Sequence, residues 1–180
     1  MVTLQSDAPA TDWRDDIYDL LLAADVRQVA YVPDAGHSRL IERCHATDTM
    51  RCVVLTTEEE GVAQMAGAWL GGQRGVVLMQ SSGVGNCVNM FSLIASCRMP
   101  FVTLVTMRGE WGEFNPWQVQ MGQATEAAFE LGGVLVYRVD QPADVAPTLD
   151  AALRLAFDAN TAVAILLSQR LVGRKDFAKD

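Results

Sequence analysis

TTEEEGVAQMAGAWLGGQRGVVLMQSSGVGN, residues 56–86, holds a helix, a strand and a turn in succession, and its reading decides the fold. It opens on TTEEE, and three consecutive carboxylates favour the start of a helix. From Thr57 to Leu70 the residues read as a helix with a small-residue face: Gly61, Ala63, Ala66, Gly67 and Ala68. Small residues let a helix approach a neighbour closely, at some cost in helix propensity. Gly75 to Gln80 is then a nearly unbroken apolar run. Such a run suits a strand covered on both faces, as in a parallel sheet. SSGVGN, residues 81–86, reads as a turn, and Cys87 to Cys97 as the next helix.

The same alternation extends in both directions. Upstream, TDWRDDIYDLLLAADV (residues 11–26) has Asp12 as a candidate N-cap and Trp13, Ile17, Leu20 and Leu21 at helical spacing. Gln28 to Val32 is a short strand ended by Pro33, Ser38 to Ala46 a helix, and Arg51 to Leu55 another strand. Downstream come strands at Phe101–Met107, Val134–Val139 and Ala162–Leu167, and helices at Thr125–Leu131 and Ala143–Asp158. Arg108 to Gly122 breaks the rhythm with Trp111, Phe114, Asn115, Pro116 and Trp117; a loop this long and aromatic is more often functional than a plain connector. The alternation predicts an α/β fold: one doubly wound, mainly parallel sheet with helices on both faces and right-handed crossovers. A single domain is expected over residues 12–172, with a flexible N-terminus (1–11) and a C-terminal tail (173–180).

Composition narrows the function. Of 180 residues half are hydrophobic and a fifth charged, which excludes a disordered chain. A net charge of -8 with no basic stripe argues against nucleic-acid binding. No apolar run reaches the roughly 18 residues of a membrane span. The N-terminus lacks the basic start and apolar stretch of a secretory signal, so a cytoplasmic protein is expected. Cys44, Cys52, Cys87 and Cys97 form no CxxC pair and no cluster with His37 and His45; buried, reduced thiols are expected, and no metal site.

Open α/β sheets bind ligands beyond the carboxyl ends of their strands. Four segments lie there: VPDAGHS (32–38), LTTEEEG (55–61), MQSSGVGN (79–86) and TMRGEWGEFNPWQ (106–118). There is no GxxxxGK[ST], no GxGxxG, no GxSxG and no HExxH, and nothing in the spacing of Ser81, Ser82 and His37 supports a nucleophile and base. Three consecutive glutamates suit a helix N-terminus; a functional one among them has to be buried beside a ligand.

TTEEEGVAQMAGAWLGGQRGVVLMQSSGVGN followed by RGEWGEFNPWQVQMGQATE (108–126) resembles the pyrimidine-binding domain of thiamine-diphosphate-dependent decarboxylases, and within it the sulfopyruvate decarboxylase α-subunits. Phosphonopyruvate decarboxylases carry a similar MQxSGxGN stretch. The likeness runs from about Trp13 to Leu171. It implies thiamine diphosphate as cofactor, its pyrimidine end on this chain, and a 2-oxo acid decarboxylation, 3-sulfopyruvate to sulfoacetaldehyde and CO2. In such enzymes a glutamate ahead of an aromatic-bearing helix hydrogen-bonds N1′ of the aminopyrimidine and shares a proton with it. Laying the glutamate-to-aromatic spacing onto Trp69 selects Glu59, the middle carboxylate.

The resemblance implies further roles. Gly83 and Gly85 lie where the family packs a glycine-rich turn against the pyrimidine, with Ser82 beside them; Gln80 and Asn86 hydrogen-bond cofactor or partner. His37 follows the first strand, near the loop where pyruvate decarboxylases hold an acidic residue, and reads as a proton donor or anion contact, or else as a solvated loop histidine. Gln118 falls where those enzymes have paired histidines, and reads as a contact to substrate or intermediate. Arg108 is the candidate counter-ion for an anionic substrate tail, since a planar guanidinium suits sulfonate, phosphonate or carboxylate oxygens; the other reading is an ion pair with Glu110 or Glu113. Trp111, Phe114 and Trp117 read as loop packing or interface anchors. The chain has no GDG, the motif that carries the diphosphate and Mg²⁺ in this superfamily. A β-subunit with that motif, and its Mg²⁺, is therefore the expected partner. Two other readings stay open: another 2-oxo acid such as phosphonopyruvate as substrate, and a non-catalytic assembly or regulatory subunit of the same fold.

Overall fold

The computed structural model describes residues 12–174. The expectations for residues 1–11, and for the tail from 175 on, lie outside the described residues.

The chain begins with α1 (Trp13–Ala23), capped by Asp12, whose carboxylate accepts from the backbone N–H of Arg14. β1 (Val26–Tyr31), α2 (Ser38–His45), β2 (Arg51–Val54), α3 (Glu58–Leu70) and β3 (Arg74–Gln80) follow. Next come α4 (Ser81–Cys87), α5 (Phe91–Cys97), β4 (Phe101–Thr106), α6 (Val119–Leu131) and β5 (Leu135–Val139). α7 (Pro142–Ala159), β6 (Ala162–Leu167) and α8 (Gln169–Val172) complete the described chain.

The six strands form one sheet in the order β2-β1-β3-β4-β6-β5, every neighbouring pair parallel. The expected doubly wound α/β architecture is therefore the one observed. β3, β4 and β6, in the middle of the sheet, have almost wholly buried residues, which explains their unbroken apolar sequences. Two cores flank the sheet. One packs Ile17 and Leu21 of α1 and Leu149, Ala152 and Leu153 of α7 against Val29, Leu78 and Leu104. The other packs Val62 and Met65 of α3, Phe91 and Ile94 of α5 and Phe129 of α6 against Val77, Met79 and Val105.

Two sequence expectations are corrected. SSGVGN is not a turn: β3 ends at Gln80 and α4 begins at Ser81 with no residue between them. Ser81, Gly83, Val84 and Cys87 are buried, and neither Gly83 nor Gly85 has positive φ, so these glycines serve close approach rather than turn geometry. α6 starts at Val119, not Thr125. Asn115 caps a 3₁₀ turn, Pro116–Gln118, that runs straight into it. The intervening Gly122 lies where any Cβ would strike the carbonyl of Arg108, so it marks a backbone crossing rather than a helix break. Cys44 and Cys87 are buried free thiols and Cys52 is half-buried, whereas Cys97 is exposed.

Candidate active site

β1 and β3 are neighbours in the sheet, yet their following connections leave in opposite directions, to β2 and to β4. This divergence opens the crevice in which α/β sheets bind ligands. A cleft of about 750 Å³ opens between the start of α3, α4 and residues 116–121, lined by Glu58, Ser82, Gly83, Gly85, Asn86, Pro116, Trp117, Gln120 and Met121. Its size suits a small-molecule site, which typically spans about 300–1,000 Å³.

The carboxylate in the cleft is Glu58. It is the first residue of α3, 7% exposed, and its Oε2 accepts from Nδ2 of Asn86 at 2.9 Å. Gly83 packs directly beneath it; a Cβ at that position would sit on the carboxyl group. Glu59 is exposed and does not line the cleft, so the expectation of burial for the middle glutamate is corrected. The anchor used to select it explains the shift. Trp69 stacks on Phe157 in the core on the other side of the sheet, with ring centroids 6.4 Å apart, and does not report on the cleft. Glu60 has a local role, its Oε2 accepting from the backbone N–H of Thr56 at 2.9 Å.

Ser82, Gly83, Gly85 and Asn86 line the cleft. Gln80 does not. Its amide Nε2 donates to Oδ1 of Asp34 at 3.0 Å, and its Oε1 accepts from Ser82 Oγ at 2.9 Å. Asp34 also accepts from the backbone N–H of Gly36 (3.0 Å) and from Thr106 Oγ1 (2.7 Å). Asp34 thus connects Gln80, and through it the cleft residue Ser82, to the segment VPDAGHS, one of the four carboxyl-end segments.

His37 is not a solvated loop histidine. It is 2% exposed, and its Nε2 donates to the carbonyls of Met79 (3.3 Å) and Leu104 (3.2 Å), tying the loop after β1 to β3 and β4. Burial pushes its pKa below the ordinary histidine range, which favours the neutral ring. Arg108 is a structural ion pair. Its Nε and Nη2 meet both oxygens of Glu113 at 2.6 Å, a bidentate arrangement with both side chains buried. Hydrogen bonds from that guanidinium, aided by the Asn115 N–H and Gln169 Nε2, hold the Glu113 carboxyl down at about 2 against the opposing effect of burial. Glu110, the other candidate partner, pairs with Arg138 instead. Gln118 lies outside the cleft lining, and its Oε1 is a buried acceptor without a hydrogen-bond partner among the described residues. Pro116, Trp117, Gln120 and Met121 supply the opposite wall; the first two lie in the aromatic segment singled out in sequence, and the last two were passed over because the loop was run on to residue 122. Trp117 stands 82% exposed.

Among the described residues no group of His, Cys, Asp and Glu side chains is arranged to hold a metal ion, and no helix is long and apolar enough to cross a membrane.

The parallel sheet, with a buried carboxylate over a glycine at the edge of a cleft, defines an α/β domain with a ligand-sized site. Comparison with known proteins makes this specific. The family described as thiamine pyrophosphate enzyme, N-terminal TPP binding domain, matches residues 11–121. Sulfopyruvate decarboxylase subunit alpha of Methanococcus maripaludis is 30% identical over 152 residues, spanning 84% of this chain and 91% of that protein. The same subunit of Methanothermobacter thermautotrophicus is 31% identical over 157 residues, 87% of this chain and 95% of that protein. Phosphonopyruvate decarboxylase of Streptomyces viridochromogenes is 37% identical over 118 residues, 64% of this chain but 30% of that protein. A solved 2-oxoglutarate:ferredoxin oxidoreductase from Magnetococcus marinus shares the fold, with a TM-score of 0.69 at 13% identity over 90% of this chain and 29% of that one. The chain belongs to the thiamine pyrophosphate enzyme family through this TPP-binding domain, and within it to the sulfopyruvate decarboxylase α-subunits.

Proposed function

We propose that this chain is the α-subunit of a cytoplasmic, thiamine-diphosphate-dependent decarboxylase that converts 3-sulfopyruvate to sulfoacetaldehyde and CO2. One observation carries the reading: the buried Glu58 carboxylate, fixed by Asn86 over Gly83 in a cleft of ligand size. The residues fit the cofactor's pyrimidine end. Asn86 engages Oε2 of Glu58 and leaves Oε1 to hold a proton shared with a ring nitrogen. Gly83 lets the carboxyl settle against α4, and Gly85 keeps that helix surface low beside Met121. Met121 and Trp117 offer apolar faces to a flat ring. When bound, thiamine diphosphate supplies the electron sink on which a 2-oxo acid loses CO2. The role assigned in sequence to Glu59 is thus given to Glu58. Gln80 orients Asp34 and Ser82, and His37 holds the loop that carries Asp34.

The diphosphate and its Mg²⁺ are assigned to a β-subunit that closes the cleft from the side where Trp117 is exposed. The test is CO2 release from 3-sulfopyruvate by the chain purified with its native partner, with and without thiamine diphosphate and Mg²⁺. Cofactor-dependent release supports the reading; a complex that binds no thiamine diphosphate overturns it in favour of a non-catalytic subunit. The 37% identity to a phosphonopyruvate decarboxylase favours a second substrate, so phosphonopyruvate is assayed in parallel.

A further inference from the structure

With Arg108 engaged by Glu113, the cation that meets the substrate's tail has to be sought elsewhere. A second, smaller cavity of about 140 Å³ has Asp34 in its wall and is lined by Arg14, Arg108 and Arg174, with Gly36 and Thr106 beside them. Two hydrogen bonds separate it from the cofactor cleft: Ser82, in the cleft wall, donates to Gln80, and Gln80 donates to Asp34. Its three guanidinium groups come from the first turn of α1, the end of β4 and the segment after α8. No sequence motif joins them; the fold brings them to one place. Asp34, the one carboxylate in the lining, already accepts from Gln80, Thr106 and the Gly36 N–H, so its oxygens are committed to the protein. Asp12 engages a single nitrogen of Arg14, Nη1.

We propose that this cavity is the subsite for the anionic tail of the substrate, a tetrahedral sulfonate or phosphonate, bound by Arg14 and Arg174, with the Arg108–Glu113 pair fixed in its wall. Guanidinium groups match tetrahedral oxyanions by parallel N–H donors. The volume admits one such group and a short stem. The proposal rests on the decarboxylase reading and adds to it where the tail is held.

The experiment compares the wild-type complex with R14M/R174M on 3-sulfopyruvate, phosphonopyruvate and pyruvate. The variant is expected to fold, because the Asp12 cap accepts from the backbone N–H of Arg14 rather than its side chain alone. The expected result is a tenfold or greater fall in the kcat/KM ratio of the anionic-tailed acids over pyruvate, carried mainly by KM. Whichever tail, sulfonate or phosphonate, loses more is the one the site is built for. An unchanged ratio overturns the proposal. A second measurement needs no turnover: titration of the full chain with sulfoacetate, followed by NMR. A saturable shift of the Gly36 amide that disappears in R14M/R174M supports the site, and no saturable shift overturns it. A wild-type complex inactive on every 2-oxo acid would sink the decarboxylase reading, while the titration still decides whether the cavity binds the anion.

Discussion

Asn86 of α4 donates its side-chain amide to Oε2 of Glu58, the first residue of α3, at 2.9 Å. That bond selects one of three consecutive glutamates. Successive helical residues point about 100° apart, so Glu58 turns into the cleft while Glu59 and Glu60 face solvent. Changing Glu58 to Gln is expected to lower cofactor-dependent turnover by about 10²-fold or more, the scale of a lost proton-transfer group. Glu59→Gln is expected to leave turnover of the complex near wild type. The reverse pattern in steady-state assays would return the role to Glu59.

Gly83 and Gly67 should respond oppositely to alanine. A Cβ at 83 lands on the Glu58 carboxyl, whereas one at 67 meets nothing within 4 Å. Gly83→Ala is therefore expected to cost about 1–3 kcal/mol, as overpacking does, and to displace Glu58 with loss of turnover. Gly67→Ala, in the interior of α3, is expected to stabilise the isolated chain by roughly 0.5–1 kcal/mol. Urea unfolding of both variants checks the signs.

Glu113 makes stability depend on acid. Its folded pKa of about 2 lies below the ordinary 4.5, so its contribution is complete above the unfolded value and is lost as pH falls through 4.5 toward 2. The shift corresponds to at most about 3 kcal/mol at neutral pH. In R108M/E113Q that part of the acid dependence should vanish. E113Q alone should be the less stable variant, because it leaves the buried Arg108 charge without its partner. Unfolding midpoints at several pH values decide the matter.

His37 predicts a separate effect at higher pH. The fold holds its ring neutral while the unfolded chain protonates near 6.5, so its contribution is present above that value and declines as pH falls through the depressed folded pKa. His37→Phe should destabilise by about 1–3 kcal/mol through the loss of donors to the Met79 and Leu104 carbonyls. Turnover per folded complex should survive. Loss of turnover without loss of stability would restore a proton-transfer role.

The parallel sheet was legible because burial writes itself into β3, β4 and β6 as unbroken apolar runs. The Asp12 cap and the span of α3 were legible for equally local reasons: a short acceptor side chain before an apolar period, and carboxylates at a helix start. SSGVGN was misread because its glycines answer to Glu58, a residue on another helix, and not to any local turn. The early start of α6 was hidden by Gly122 for the same reason. In the site, the residue types were readable but the partners were not. Whether Arg108 faces a substrate or Glu113, and which glutamate turns inward, depends on distances across the fold that spacing along one chain does not encode.

The direct passage from β3 into α4 has a temporal consequence. One wall of the cleft is continuous with a central strand of the sheet, so its amides around 77–87 should exchange with solvent only when the whole domain opens. The segment that leads to the other wall, residues 108–115, is fastened by side chains: Glu113 gathers Arg108, Gly109, Asn115 and Gln169, and Glu110 holds Arg138 and the Gln169 N–H. One wall thus belongs to the cooperative unit of the sheet itself, and the other is tied to that unit through its side chains.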